Sequence, residues 1–444
     1  MSALPLIRHT RADAIVAYRD GRVIDAARYL GDVAALAEAL PNATHVLNFC
    51  ADRYRFAVGL GAALSRRQIT MLLPNQTPDL IDQIAVLYPD LYCLTDGESS
   101  HRGVETVQFC DDISLAPGQW AIPSFAAEQI AAFAFTSGST GPPKPHVKTW
   151  RSLVSGTLAF GAEYSMPFLR DGTVLGTVAH QHIFGFESTI MLPLQHGLAA
   201  HTRRPFYPAD ICECLDNLPR PRILVTTPIH LRVLLADSDA LPAADLVLCA
   251  TAPLPVQLAA EAEARFSAPL CEIYGCAEAG QTAMRRTAQT EVWTCLGGIK
   301  LRQDSRGTWA DGGSVETEVL LGDVIELLDS DRFVLLGRTS DLINIAGKRT
   351  SLSHLNYQLN AIAGVRDGVF VMPEEDQSAS VTRLMAFVVA PGLTSDDILS
   401  GLRARVDSAF LPRPLYLVDA LPRNSTGKLP LEAVKKLAAG LADR

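Results

Sequence analysis

The sequence predicts an α/β protein with a large N-terminal domain of parallel or mixed sheets flanked by helices and a small C-terminal α+β domain. Three observations predict it. The chain has 444 residues, more than one compact core accommodates. Apolar, strand-like runs alternate with amphipathic helical segments, the pattern of parallel sheets. The character of the chain then changes near residue 337, where a strand-rich stretch gives way to about a hundred residues with their own mixed signals.

The strand signals come in chain order as HVLNF, AFAF, GTVLGTV, RILVTT and DLVLCA. Each is short, apolar throughout and rich in β-branched or aromatic residues, as strands buried on both faces are. The helical signals are VAALAEAL, RFAVGLGAALSRR, QLAAEAEARF and, close to the C-terminus, LEAVKKLAAGLA. EVLLGDVIELLDSDRFVLLGR alternates with period two in places, so antiparallel strands are expected up to Arg338. Beyond it, GVFVM, RLMAFVVA and DDILSGLRARVDSAF supply further strands and a helix, and the charge balance turns slightly basic. A boundary at Arg338 divides the chain into domains 1–338 and 339–444. A cleft between two domains is a common place for a ligand.

Composition excludes several classes. Apolar residues make up 48% and charged residues 20%, which is ordinary for a globular protein and wrong for a disordered one. A net charge of −9 argues against a nucleic-acid partner. No run reaches about 18 apolar residues, so no membrane span is expected, and the N-terminus lacks a secretory signal. The nine cysteines include no C-x-x-C pair, and several lie in apolar runs. They read as reduced, buried thiols of a cytoplasmic protein.

Four elements carry chemistry. The first is TSGSTGPPK, from Thr136 through Ser137, Gly138, Ser139, Thr140 and Gly141 to Lys144. It follows a buried strand and offers main-chain N–H groups, hydroxyls and one ammonium, a cradle for phosphate. It is not the nucleotide P-loop, because prolines separate Gly141 from Lys144 and Pro145 stands where Ser or Thr is required. The second is CEIYGCAEAG, where Tyr274 and Gly275 end a strand and Glu278 follows. A carboxylate there suits Mg²⁺, which takes one or two protein carboxylates and completes its shell with phosphate oxygens. The third pairs Asp323, after a glycine, with Arg338, also after a glycine; an Asp can accept both hydroxyls of a ribose. The fourth is LPRNSTGKLP, which places Lys428 on a short glycine turn. The first element alone reads as a phosphate cradle rather than a surface turn, whereas each of the other three alone reads more simply as a turn or a solvated charge.

Together, and in this order, they resemble the adenylate-forming superfamily: acyl-CoA synthetases, aryl-acid ligases, luciferases and peptide-synthetase adenylation domains. Thr136–Lys144 matches the superfamily's TSGSTGxPK loop, and Tyr274, Gly275 and Glu278 match its YGxTE motif. Asp323 with the run Gly337–Ile343 matches its ribose motif, and Pro422–Lys428 matches PRNxxGK. The resemblance covers about residues 130–444. It implies ATP and Mg²⁺ as cofactors, and a reaction in which a carboxylic acid becomes an acyl-AMP with loss of pyrophosphate and is then passed to a thiol. It further implies that Thr136–Lys144 guides the β- and γ-phosphates and that Glu278 binds the metal. Ala252 and Tyr274 would hold adenine, Asp323 and Arg338 the ribose, and Lys428 would bridge the acyl carboxylate and the phosphate. His182, in VAHQHIFG, would border the acyl pocket, whereas His180 reads as structural. The small domain of this superfamily rotates between half-reactions, which implies a mobile lid here with its hinge at Ser340 and Gly347 lining the thiol's path.

The sequence also departs from the superfamily pattern. Ala277 replaces the threonine before the glutamate, and ATAPLP replaces the usual GGAP of the adenine segment. Asn344 stands where a long side chain is common, and the N-terminal region is short. The compact form most resembles the short ligases of xanthomonadin and aryl-polyene pathways. That implies an aromatic acid such as 4-hydroxybenzoate as substrate and an acyl carrier protein as acceptor. The alternatives are an acyl- or aryl-CoA synthetase that uses free CoA, and a non-catalytic nucleotide-binding homologue, for which Ala277 is the only support.

Overall fold

The computed structural model describes residues 2–73, 75–98, 103–109, 121–136, 143–163, 169–237, 240–338, 342–345, 348–372 and 384–423, with 429, 433, 436 and 437 near the C-terminus. Two sheets dominate it. The first has six strands in the order Lys144–Thr149, Ile130–Thr136, Ile69–Leu72, His45–Asn48, Leu91–Thr95, Glu105–Gln108. All its neighbours run parallel except the first pair, a hairpin in which Lys144 faces Thr136. The second sheet has eleven strands. Its centre is a parallel block: Leu270–Cys276, Leu246–Cys249, Arg222–Thr226, Thr173–Gly176, Ala199–His201 and Ile15–Arg19.

The five strands expected from apolar runs all form, within a residue or two of the expected places. LVLC and TVLG are buried at every position, because helices cover both faces of the sheet. The helices Ala26–Ala39, Arg53–Ser65 and Val256–Phe266 match three of the helical signals; the fourth falls mostly outside the described residues. Asp25 and Asp52 cap the first two, each accepting from a main-chain N–H of the first turn.

Arg53 locks the two sheets together. It opens a helix packed on the first sheet, yet the residue is 1% exposed and its guanidinium donates to the carbonyls of Gly176 (2.8 Å), in the second sheet, and Val178 (2.7 Å), just beyond that strand. It also reaches Thr189 Oγ1 at 3.2 Å. Those bonds compensate the desolvation of a buried cation, which still lowers its pKa to about 9.

The strand Leu270–Cys276 is the edge of the parallel block. Beyond it the sheet turns antiparallel, through Gly280–Arg285, Val292–Cys295, Arg332–Arg338 and Asp323–Leu327. The smaller C-terminal part pairs Asp367–Val371 with Met385–Val389 and packs the helices Leu352–Asn360 and Ser395–Arg403 on them. Every described core cluster lies wholly on one side of Arg338. No disulfide joins the described cysteines, and no described helix is long and apolar enough to cross a membrane.

Candidate active site

In open parallel sheets, ligands bind beyond the carboxyl ends of the strands. The motifs gather there. Thr136 ends the strand Ile130–Thr136, and His182 lies in the loop after Thr173–Gly176. Ala252 follows Leu246–Cys249, and Glu278 follows Leu270–Cys276. Chain connectivity therefore collects residues 182, 252 and 278 along one rim of the second sheet, and the bond from Lys148 Nζ to the Glu278 carbonyl brings the hairpin after Thr136 beside it.

The turn at Cys276–Gly280 depends on two glycines. A Cβ at Gly275 would lie 2.3 Å from the Gly280 carbonyl oxygen, so the two strand ends approach closely only without one. Gly280 has φ +76°, the left-handed region that glycine adopts without strain. The Glu278 side chain is 37% exposed, and its Oε1 lies 3.5 Å from His146 Nε2. Burial lowers the pKa of His146, against the pull of Glu278. A single half-exposed carboxylate facing the phosphate hairpin fits Mg²⁺ held mainly by phosphate oxygens, and among the described residues no cluster of three His, Cys, Asp or Glu competes as a metal cage.

Tyr274 and Asp323 form a unit. The tyrosine hydroxyl donates to Asp323 Oδ2 at 2.7 Å, and its ring packs edge-on against Trp293 and Phe333. The ring is 7% exposed, so most of its surface is spent on the core. What the structure shows for Tyr274 is the orientation of Asp323. Asp323 in turn faces Arg338 in the antiparallel ladder, so the two ribose-motif residues are neighbours across strands. The side chains of Thr136 and Arg338 lie outside the described residues, as do Ser137, Gly138, Ser139, Thr140, Gly141, Ser340, Gly347 and Lys428 entirely. Lys144 is exposed at the mouth of the phosphate hairpin.

The adenine segment explains one departure from the superfamily pattern. Thr251, at the second position of the usual GGAP, has φ +81°. That conformation is strained for a β-branched residue and free for glycine. The next turn is tied down from below: buried Glu272 accepts from the Leu254 N–H at 3.1 Å while paired with Arg285 at 2.7 Å. Ala252 lines a cleft between the two parts of the protein. Arg232 lines the same side, and across the cleft stand Asp367, Arg423 and Leu429, the last being the residue after Lys428. The adenine segment and the PRNxxGK motif thus share one cavity. Asp367 binds Arg423 through two bonds, at 2.7 and 2.8 Å, and Arg232 at 3.3 Å.

The two histidines differ in burial. His180 is 2% exposed, bonded through Nε2 to the Cys50 carbonyl at 2.8 Å, with its pKa lowered to about 3 by burial and by Arg53. It is a core residue. His182 is exposed and caps the short helix Ile183–Phe186.

Sequence reasoning missed Lys148, Glu187 and Arg232. Lys148 Nζ donates to the Glu278 carbonyl at 2.9 Å. The signal was the alternation in KPHVKT, which puts His146 and Lys148 on one strand face. Glu187, the only charge in IFGFESTIMLPL, was equally readable as an anomaly.

Comparison with known proteins decides the family. The signature of the AMP-binding enzymes matches residues 40–304. The chain belongs to the AMP-binding enzyme family. A 4-coumarate–CoA ligase of Rhodobacter capsulatus is 28% identical over 307 residues, 68% of this chain and 75% of that protein. A 4-hydroxybenzoate–CoA/benzoate–CoA ligase of Rhodopseudomonas palustris is 22% identical, covering 88% of this chain and 78% of its own. The crystal structure of ATP-bound MatB from Rhodopseudomonas palustris superposes with a TM-score of 0.81 at 17% identity, over 98% of this chain and 97% of MatB. This member of the family has the adenylate-forming ligase fold and is an AMP-forming acid–thiol ligase, with ATP and Mg²⁺ as cofactors.

Proposed function

We propose that the enzyme activates an aromatic carboxylic acid, 4-hydroxybenzoate or a close relative, and passes the acyl group to the phosphopantetheine thiol of an acyl carrier protein. The observation that supports the site assignment is the Tyr274–Asp323 bond, which brings Asp323 beside the strand end that leads to Glu278. The aromatic acid is supported by the relatives, several of which are named for benzoates or coumarate.

In the first half-reaction a carboxylate oxygen attacks the α-phosphorus, and the bond to pyrophosphate breaks. Both reactants are anionic, so positive charge and fixed geometry must lower the barrier. Thr136–Lys144 holds the β- and γ-phosphates as the leaving group. Bound at Glu278, Mg²⁺ supplies neutralisation of phosphate charge. Asp323 and Arg338 fix the ribose, Ala252 and the exposed margin of Tyr274 meet adenine, and Lys428 sits between carboxylate and phosphate. His182 borders the acyl group. In the second half-reaction the thiol sulfur attacks the acyl carbon, its proton leaves, and AMP departs. Domain 339–444 turns about Ser340 between the two, which brings Gly347 to the thiol's path. That no described core cluster crosses Arg338 supports this division.

A second reading, transfer to free CoA, is favoured by the relatives, which are named CoA ligases. ATP–pyrophosphate exchange across aryl and fatty acids tests the first step, with the largest rate expected for a 4-hydroxy or unsubstituted benzoate. Equal exchange with every acid, or none, overturns the aromatic assignment. Offering CoA and a phosphopantetheinylated carrier together then shows which thiol collects the acyl group.

A further inference from the structure

The strand Lys144–Thr149 leaves the phosphate loop and turns one face toward the Cys276–Gly280 turn. Two side chains on that face reach Glu278. His146 Nε2 approaches its carboxylate at 3.5 Å, and Lys148 Nζ donates to its main-chain carbonyl at 2.9 Å. Lys148 is 4% exposed. A buried ammonium costs far more than the apolar residue of similar length that would fill the same space, unless its charge and bonds are used.

Its counter-charge comes from a third element. Residues Glu187–Met191 form a π-helical turn, a rare geometry that commonly marks functional positions. Glu187 opens that turn and accepts from the Gln281 N–H. Its Oε1 lies 2.7 Å, and Lys148 Nζ 3.8 Å, from the point a Gly280 Cβ would occupy. Carboxylate and ammonium thus converge over the missing side chain of Gly280. The next pair of residues repeats the tie, with Gln281 Nε2 donating to Ser188 Oγ at 2.9 Å. Burial raises the pKa of Glu187 to about 7 and lowers that of Lys148, and each charge opposes the other's shift. The turn itself carries Ala277, which supplies no hydroxyl.

We propose that Lys148, with Glu187 as its counter-charge, and His146 are positioning residues for Glu278. His146 steadies the carboxylate and Lys148 the main chain that carries it, so that the strand Lys144–Thr149 and the metal ligand move as one body. This rests on the assignment of Glu278 as the metal carboxylate.

The test measures Mn²⁺ affinity of the ATP-saturated protein by electron paramagnetic resonance, beside pyrophosphate exchange. Lys148→Met keeps the stem and removes the charge. Its expected effect is a 10–100 fold weaker Mn²⁺ affinity, the usual scale for a group that orients a metal ligand. Lys148→Arg is expected to recover part of it. In a Glu278→Gln background, Lys148→Met is expected to add less than twofold, because the group it orients is already gone. Wild-type affinity in Lys148→Met, or losses that multiply in the double variant, overturns the proposal while Glu278 stands. Wild-type affinity in Glu278→Gln alone overturns the Glu278 assignment and the proposal with it. Should Lys148→Met not fold, Glu187→Gln and His146→Ala carry the same comparison, with smaller weakening expected from each and none at all overturning it.

Discussion

The wall that carries Glu278 and the seam between the two parts of the molecule are built on opposite plans. The wall is braced in every direction. Below it, Glu272 ties Leu254, Arg285 and Thr287. Beside it, Tyr274 holds Asp323, and in front Lys148 holds the turn. Among the described residues, polar side chains tie the seam. Arg232 meets Asp367 at 3.3 Å, Gln257 Nε2 donates to the Ala361 carbonyl at 2.9 Å, and Ser351 Oγ donates to the Leu336 carbonyl. No described apolar cluster crosses it. Electrostatic catalysis needs donors that do not move, whereas a change of domain orientation needs contacts that exchange cheaply. In the proposed mechanism these two requirements fall in separate places.

Substitutions in the wall should therefore cost chemistry, and substitutions in the seam should cost orientation. The largest effect is expected for Lys428→Ala and Glu278→Gln, on the order of 10²–10³ fold in pyrophosphate exchange. Unchanged exchange in either would remove that residue from the mechanism. Tyr274→Phe comes next. It removes a bond to a carboxylate worth about 1.5–3 kcal/mol, so the KM for ATP should rise about tenfold or more while the KM for the acid holds. Equal shifts in both would mean that the tyrosine supports the fold alone.

Acid tests the wall and the core together. His180 has its pKa lowered to about 3, and burial also lowers those of His9, His196, His201, His230 and His354. Below pH 6.5 these histidines take up protons when unfolded and resist them when folded. Their contribution is complete above 6.5 and is lost as the pH falls toward 3. His180 alone should remove about 2 kcal/mol by pH 5. Thermal melts from pH 8 to 5 check this, and His180→Asn should flatten the profile.

The smallest effect is expected at the seam. Arg232→Ala leaves Asp367 bound to Arg423, so melting should change by about 1 kcal/mol or less. The two half-reactions should nonetheless shift relative to one another, read by single-turnover measurement of each. Equal rates in both would show that this ion pair has no part in domain orientation.

Much of this was legible in the sequence, for a physical reason. Parallel strands buried on both faces are apolar throughout, so HVLNF and DLVLCA announced themselves, and motifs at strand ends kept their spacing. The pairing of Tyr274 with Asp323 was not legible, because the two lie 49 residues apart and meet only when intervening antiparallel strands fold back. Lys148 and Glu187 carried local signals, but their partners were not legible, because these lie far along the chain. A lysine in a strand reads as solvated until its partner, 130 residues later, is seen to bury it.

The left-handed threonine at 251 has a practical consequence. Residues forced into that region cost about 1–3 kcal/mol each, a reserve held outside any contact. Thr251→Gly would release it, while removing a side chain that lines the cleft and adding glycine's larger entropy loss on folding. For anyone adapting this enzyme to heat or solvent, it is the first residue to change, and the activity that survives will show whether the strain was ancestral debris or part of how adenine is gripped.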